Sequence, residues 1–144
     1  MIQLIIRFLG SSYFPSPISL QKKKATINVQ NNDNKCFLYA ILAAQNYHRI
    51  KRDRERVTHY TDLLTTLKYE ESWFPMKLVN ISKFESRNPG FGINILTYSE
   101  KDKNTTYFKH PNVDIIYRAK NGGGTQIYLL LLQKGNIITT LLYN

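Results

Sequence analysis

The sequence predicts an α+β domain with N-terminal helices packed on a mainly antiparallel sheet that the C-terminal half forms. Helical spacing of apolar residues lies between residues 35 and 85, and β-rich apolar runs follow it. The chain has 144 residues, of which 42% are hydrophobic, which suits one packed domain. We therefore expect a single domain over residues 1–144, with an N-terminal extension of about 1–20.

The first 34 residues read as strand and loop. Residues 2–9 are apolar enough for an edge strand, and the two prolines within 10–17 exclude a central strand or helix interior there. The lysines at 22–24 form a solvated charge run, and 25–29 predicts a short strand. The Asn-rich stretch 30–34 has loop chemistry and ends in good N-cap residues.

The first helix is predicted over about residues 35–47. It is apolar nearly all round, which is typical of a helix buried inside a domain. Its Cys36 face continues with Ala40, Ala43 and Ala44, all small, so this face can lie close against a sheet.

Two further helices and a series of strands complete the prediction. A second helix is expected from Asp53 on the spacing of Val57, Tyr60, Leu64 and Leu67, and a third over Leu78–Glu85, ended by Asn88-Pro89-Gly90. The strands are predicted over residues 93–98, 105–109, 113–117, 127–132 and 137–142. The last two flank Gln133–Asn136, a hairpin signal.

The charge is strongly basic, with a formal net charge of +10 and a pI of about 9.7. This favours acidic partners such as nucleic acid, although a solvated basic face explains it equally well. Basic segments at 22–24, 49–56 and 101–109 lie near tyrosines, without an ordered nucleic-acid recognition motif. Because no apolar run approaches ~20 residues, and residues 1–9 do not resemble a signal peptide, we expect no membrane partner. The single cysteine, which cannot form an internal disulfide, predicts an intracellular location, cytoplasmic or nuclear.

Cys36 is the single cysteine, so an internal disulfide is excluded. A Cys-rich metal site is equally excluded, and three scattered histidines do not make one. We therefore expect no metal and no cofactor.

The position of Cys36 also suits chemistry. Backbone N–H groups and the helix dipole in a first helical turn stabilise a thiolate, and Lys35 adds positive charge beside it. Asn28 and Asn31 in the preceding loop are the candidates for an oxyanion-hole amide. The alternative remains open, because a lone cysteine in an apolar helix is more often a core residue.

A thiol hydrolase needs a base within hydrogen-bond reach of the sulfur, most often a histidine oriented by Asp or Asn. His48 lies about three turns from Cys36 along the same rod, and His59 and His110 lack a recognisable orienting neighbour. We expect all three to be exposed structural histidines.

A resemblance to a known family covers about residues 11–132. It rests on Ser12–Pro17, Lys23–Asn31, Asp33–Ala44, Arg54–Val57, Phe74–Leu78, Ile81–Glu85 and Ile93–Ile95. Together these segments resemble a cysteine-protease-like domain abundant in invertebrate transposon-derived and Maverick/Polinton-type proteins, a family similar to the viral-tegument-like deubiquitinases. It implies a papain-like core, Cys36 as the nucleophile, Asn28 or Asn31 near the oxyanion site, and ubiquitin or a ubiquitin-like protein as partner, bound by a monomer.

The chain departs from that family at the base. The family carries a histidine on the strand after the Leu-rich strand, followed by an Asp or Asn that orients it. Here the corresponding segment starts with Asn136 and Ile137, and neither takes a proton from a thiol. The resulting hypotheses are a thiol isopeptidase with full or residual activity, a ubiquitin-binding module that has lost its chemistry, and a basic nucleic-acid-binding module of a mobile element.

Overall fold

The computed structural model describes residues 3–7, 26–74, 76–99, 112–134 and 137–141, with side chains over 27–74, 76–96 and 115–129. The predicted α+β class is confirmed. The elements in chain order are strands β1 (Gln3–Arg7) and β2 (Thr26–Ile27), helix α1 (Cys36–Gln45), 3₁₀ helices Val57–His59, Thr61–Thr66 and Glu71–Trp73, helix α2 (Leu78–Arg87), and strands β3 (Phe91–Ser99), β4 (Asn112–Tyr117), β5 (Thr125–Lys134) and β6 (Ile137–Leu141). Among these residues, no helix has the length and apolar character that crossing a bilayer requires. The strand predicted at 105–109 lies outside the described residues.

The six strands form one sheet in the order β2-β1-β6-β5-β3-β4. The pairs β3–β4, β5–β6 and β1–β6 are antiparallel, whereas β1–β2, β3–β5 and β1–β5 are parallel. The expectation of a mainly antiparallel sheet from the C-terminal half was therefore wrong, since the sheet is mixed and begins with N-terminal strands. The β5–β6 hairpin is confirmed, but β1 is not an edge strand, because it pairs with β2 on one side and β6 on the other.

The mixed character follows from the path of the chain between β3 and β5. After β3 the chain turns back as β4 on the outer side of β3, and it then returns as β5 on the inner side. Two reversals of direction leave β3 and β5 parallel. Residue patterns encode which segments are strands, but not which side of a neighbour each one joins.

Helix α1 confirms the prediction of a buried helix, and it is slightly shorter than the 35–47 expected. All residues from Cys36 to Ala43 are buried, and the helix packs against β1 and β5. Its C-terminus is closed by Asn46, whose backbone N–H and side-chain amide donate to the carbonyl of Leu42 at 3.0 and 2.8 Å. The apolar surface of α1 thus forms the centre of the core.

The second predicted α-helix is not formed, and two 3₁₀ helices, Val57–His59 and Thr61–Thr66, stand in its place. Tyr60 separates them, fully buried, with its hydroxyl donating to the carbonyl of Arg54 at 2.7 Å. The hydroxyls of Thr65 and Thr66 donate to carbonyls three residues earlier, at 3.3 and 2.6 Å. The apolar spacing is helical, but the buried Tyr60, whose hydroxyl is bound to Arg54, interrupts the segment between the two 3₁₀ helices.

Helix α2 confirms the third predicted helix and ends at Asn88, as expected. Asn88 is buried and ties this helix end to an earlier segment: its side chain pairs with both the N–H and the carbonyl of Lys68, at 3.0 and 2.8 Å. The ring of Phe84 packs edge-on against that of Phe37 in α1, with centroids 5.0 Å apart. The two helices therefore share one core.

A buried carboxylate fixes the turn that leads into β5. Glu85 is 1% exposed, and its Oε2 accepts the backbone N–H groups of Lys120 and Asn121, both at 2.9 Å. The backbone of Gly124 then passes so close to Gly90 that an added Cβ would lie 2.7 Å from its carbonyl carbon. Helix α2, the turn and the start of β5 are joined by these contacts.

Candidate functional site

Cys36 is the first residue of α1 and is 3% exposed, with its thiol inside the core cluster. The residue before it, Lys35, ends the loop with its carbonyl accepting the first helical bond, from the N–H of Tyr39 at 3.1 Å. The thiol therefore lies in the helical turn where unpaired N–H groups and the helix dipole favour a thiolate. Burial acts in the opposite direction, because it favours the neutral thiol.

Asp33 holds the loop that leads into Cys36. One carboxylate oxygen accepts the backbone N–H of Lys35 at 3.0 Å and the side-chain amide of Asn31 at 3.1 Å. The other oxygen accepts the hydroxyl of Tyr39 at 2.6 Å, across the first turn of the helix. A single side chain thus connects the loop, the helix start and the face of α1 next to Cys36.

Sequence reasoning missed Asp33, because its Asn-rich surroundings read as generic loop chemistry. The signal was present in the spacing: Asp33 stands two residues before Lys35, the residue that precedes the helix, which is the spacing of an Asx turn, and Tyr39 stands three residues after Cys36. Burial, followed by the hydrogen bond to Asp33, raises the pKa of Tyr39 far above its ordinary value. The Tyr39 hydroxyl is therefore a permanent donor at neutral pH.

Asn31 is completely buried, and its side-chain amide nitrogen is directed at Asp33. The two bonds go to the Asp33 backbone carbonyl at 2.8 Å and to its carboxylate at 3.1 Å. An oxyanion role for Asn31 would require one of these bonds to be exchanged for the substrate oxygen. Asn28 is half-buried and lies at the start of the same loop.

Lys35 supplies the positive charge expected next to the thiol, but its ammonium pairs with the carboxylate of Glu71. Its ammonium lies 2.9 Å from a carboxylate oxygen of Glu71 and 5.7 Å from the centre of the Tyr69 ring. The hydrogen bond to Glu71 raises the pKa of Lys35. The lysine is therefore charged at neutral pH. Its ammonium forms an ion pair with the Glu71 carboxylate and is not held for Cys36 alone.

The position at which the resembling family carries its base falls at the start of β6. Ile137 is the first residue of that strand and pairs with Lys134 of β5, while Asn136 lies outside the described residues. Strand β6 also pairs with β1, against which α1 packs. The strand expected to carry the base thus belongs to the same sheet that supports the cysteine helix.

The three histidines differ in exposure, and the structure describes two of them. His48 is exposed, as expected, in the segment after α1, and His110 lies outside the described residues. His59 is half-buried rather than exposed, and its Nε2 atom is buried with no hydrogen-bond partner among the described residues. It follows Arg56 by three residues, and Arg56 forms a β-bridge with Gln30 of the loop before α1.

Within the described part of the chain, no three His, Cys, Asp or Glu side chains cluster in a way that would hold a metal ion. The chain matches no protein-family model, no curated protein and no solved structure.

Proposed function

We propose that this chain is a cysteine-protease-like domain of the deubiquitinase type, with a papain-like core, that binds ubiquitin or a ubiquitin-like protein and has lost efficient hydrolysis. The observation that carries the proposal is Cys36 as the first residue of a buried helix, behind a loop that Asp33 fixes. The motifs around this cysteine supply the family resemblance, and the lack of any matched relative adds no support.

The loss of hydrolysis follows from the chemistry of an isopeptide bond. The sulfur must lose its proton to attack the carbonyl carbon, and the lysine amine that leaves must gain one. Water then attacks the resulting thioester and regenerates the thiol. A histidine performs both proton transfers in such enzymes, whereas the Asn136 and Ile137 pair at the base position performs neither.

The burial of Cys36 supports the same conclusion. At 3% exposure the thiol is not accessible to a carbonyl carbon without movement of the surrounding side chains. Burial also disfavours the thiolate that the reaction needs. Burial of the thiol and loss of the base both lower turnover, and binding without efficient hydrolysis is therefore the form of this function that we propose.

A gain-of-function variant tests the role of Cys36. Asn136→His restores a base at the expected position, and we expect hydrolysis of a fluorogenic ubiquitin substrate to rise by roughly 10²-fold or more over the unaltered chain. Adding Cys36→Ala to this variant should abolish the gain. Asn80→His, which places a histidine on α2, is the matched control and should give none.

The proposal fails if the restored histidine gives no hydrolysis in folded protein and a ubiquitin probe with a C-terminal electrophile also forms no adduct at Cys36. An active deubiquitinase serves as the positive control for both reagents. An adduct on the unaltered chain that disappears in Cys36→Ala supports the nucleophile position even where turnover is not restored, because an electrophilic probe needs no proton for a leaving amine.

A further inference from the structure

The segment after α1, residues 46–56, forms the basic connector, a fixed loop that directs positive charge outward. It contains five Arg and Lys residues against two carboxylates. Its exposed cations are Arg49, Lys51, Arg52 and Arg56. Ile50, the apolar residue among them, is 8% exposed, so the connector keeps its apolar side in the core.

The connector has a defined conformation because Arg54 folds back beneath it. The Arg54 guanidinium donates to the carbonyls of Ile50 and Tyr47, at 2.7 and 3.0 Å, and stacks 3.8 Å from the centre of the Tyr47 ring. The Arg54 carbonyl accepts the buried hydroxyl of Tyr60 at 2.7 Å. Arg54 therefore stabilises the conformation of the connector, whereas its other arginines lie exposed on the surface.

The far end of the connector is anchored to the loop before α1. Gln30 donates its N–H to the Glu55 carbonyl at 2.8 Å and forms a β-bridge with Arg56. Asp53 adopts a left-handed backbone conformation, with φ of 52°, and its carbonyl accepts the N–H of Arg56 at 2.9 Å. A loop fixed at both ends and in its middle loses little entropy when it binds a ligand.

The charge of the connector is not neutralised locally, in contrast to that of Lys35 and Arg87. Lys35 and Arg87 lie 2.9 and 2.8 Å from Glu71 and Glu70. Arg49 donates to the uncharged Asn46 at 3.0 Å, and Lys51 and Arg52 form no ion pair within the described residues. Arg56 has only an exposed contact of 3.8 Å to Asp53, which contributes little.

The chemistry of the connector favours phosphate on a nucleic-acid backbone over other anionic surfaces. Arginine predominates, and its planar donors suit phosphate oxygens. An exposed ring, His48, lies edge-on to Tyr47 at 5.4 Å on the same segment and offers a face for a base. A membrane surface would be bound by charge alone, because the exposed residues of 48–56 are all polar and none can insert among lipid chains. A nucleic acid can use both the cations and the exposed ring, so it is the partner that this surface fits better.

We infer that the basic connector is a binding site for the phosphate backbone of single-stranded nucleic acid, separate from the Cys36 site. Three cations, Arg49, Lys51 and Arg52, make the phosphate contacts. Counterion release for three contacts predicts that log K falls with log salt concentration with a slope of about −2.

Fluorescence anisotropy with labelled 20-nucleotide DNA and RNA strands tests the inference on the full chain. The triple variant Arg49→Ala/Lys51→Ala/Arg52→Ala should weaken binding at least tenfold at about 50 mM salt and flatten the salt slope by about 2. The control variant Lys68→Ala/Lys77→Ala/Lys83→Ala removes the same charge from exposed positions elsewhere. It should change binding by about twofold or less, since it affects only the general field.

Equal losses in the two variants would overturn the inference, because binding would then depend on net charge and not on the connector. Unchanged binding by the connector variant, or no binding of either strand to the unaltered chain, would also overturn it. The strand that binds more tightly, RNA or DNA, identifies the kind of nucleic acid that the connector prefers. Circular dichroism verifies that both variants are folded.

Discussion

Removing the Asp33 carboxylate should destabilise the whole domain, although Asp33 itself is an exposed residue. Asp33→Ala leaves the hydroxyl of Tyr39 without its acceptor at 2% exposure, and it removes the acceptor of the Lys35 N–H at the helix start. Asn31 keeps its bond to the Asp33 backbone carbonyl at 2.8 Å, so its loss is partial.

The magnitude follows from these contacts. An unsatisfied buried hydroxyl costs about 1–3 kcal/mol and a lost helix-start acceptor about 1 kcal/mol, which gives about 2–4 kcal/mol in total. For a domain of this size, that lowers the melting temperature by roughly 6–12 °C. Asp33→Asn keeps an acceptor oxygen for the helix start and should cost about 1 kcal/mol.

Urea unfolding monitored by the single tryptophan, Trp73, which is 4% exposed, measures these values. A double-mutant cycle of Asp33→Ala with Tyr39→Phe should give a coupling energy of about 1–2 kcal/mol. Asp62→Ala, an exposed aspartate in a 3₁₀ helix, is the control and should change stability by less than about 0.5 kcal/mol. A coupling energy near zero would refute the role of Asp33 as the connection between the loop and α1.

Three further predictions concern the core and its turns. Burial raises the pKa of Tyr60 to about 12, so the folded state retains a proton that the unfolded state loses above about pH 10. Stability should fall by about 1.4 kcal/mol per pH unit between pH 10 and 12 from this group, and Tyr60→Phe should flatten the fall measured by urea titration. Glu85→Ala should cost about 2–4 kcal/mol in urea unfolding and Glu85→Gln roughly half of that, because the amide keeps one acceptor for the turn. Gly124→Ala should lower stability by about 1–3 kcal/mol, because its Cβ meets the carbonyl group of Gly90, and an unchanged melting temperature would contradict that close approach.

The elements that the sequence predicts well are those with uniform residue patterns. An unbroken apolar run predicts α1, and the spacing of Leu78, Ile81 and Phe84 predicts α2 with its end at Asn88. Paired β-rich runs around residues 133–136 predict the last hairpin. In these cases, local preference and burial favour the same structure.

The features that the sequence does not predict depend on distant partners. The parallel pairing of β3 with β5 follows from the side of β3 on which β4 lies, and no residue pattern records that choice. The 3₁₀ helices around Tyr60 stand where the apolar spacing is helical, and the hydroxyl bond from Tyr60 to Arg54 that separates them leaves no mark in that spacing. Apolar period alone therefore predicts the wrong helix type there.

The candidate site divides in the same way. The apolar run predicts a helix that starts at Cys36, and the structure places Cys36 in its first turn, although the helix begins after Lys35 without a side-chain N-cap from the Asn-rich loop. The contacts of its neighbours cannot be predicted from the sequence. The Lys35 ammonium pairs with Glu71, 36 residues away, and the side-chain amide of Asn31 donates to Asp33. Long-range ion pairs and the orientation of side-chain amides require the folded geometry.

The measurement that tests the account most directly is a titration of ¹⁵N-labelled ubiquitin with the unaltered chain, followed by NMR, beside the same titration with Cys36→Ala. We predict binding with a dissociation constant of about 100 μM or tighter, roughly −5.5 kcal/mol, and the same affinity for both proteins, because the thiol is buried and contributes nothing to the binding surface. Ubiquitin resonances that do not shift with either protein would contradict the account.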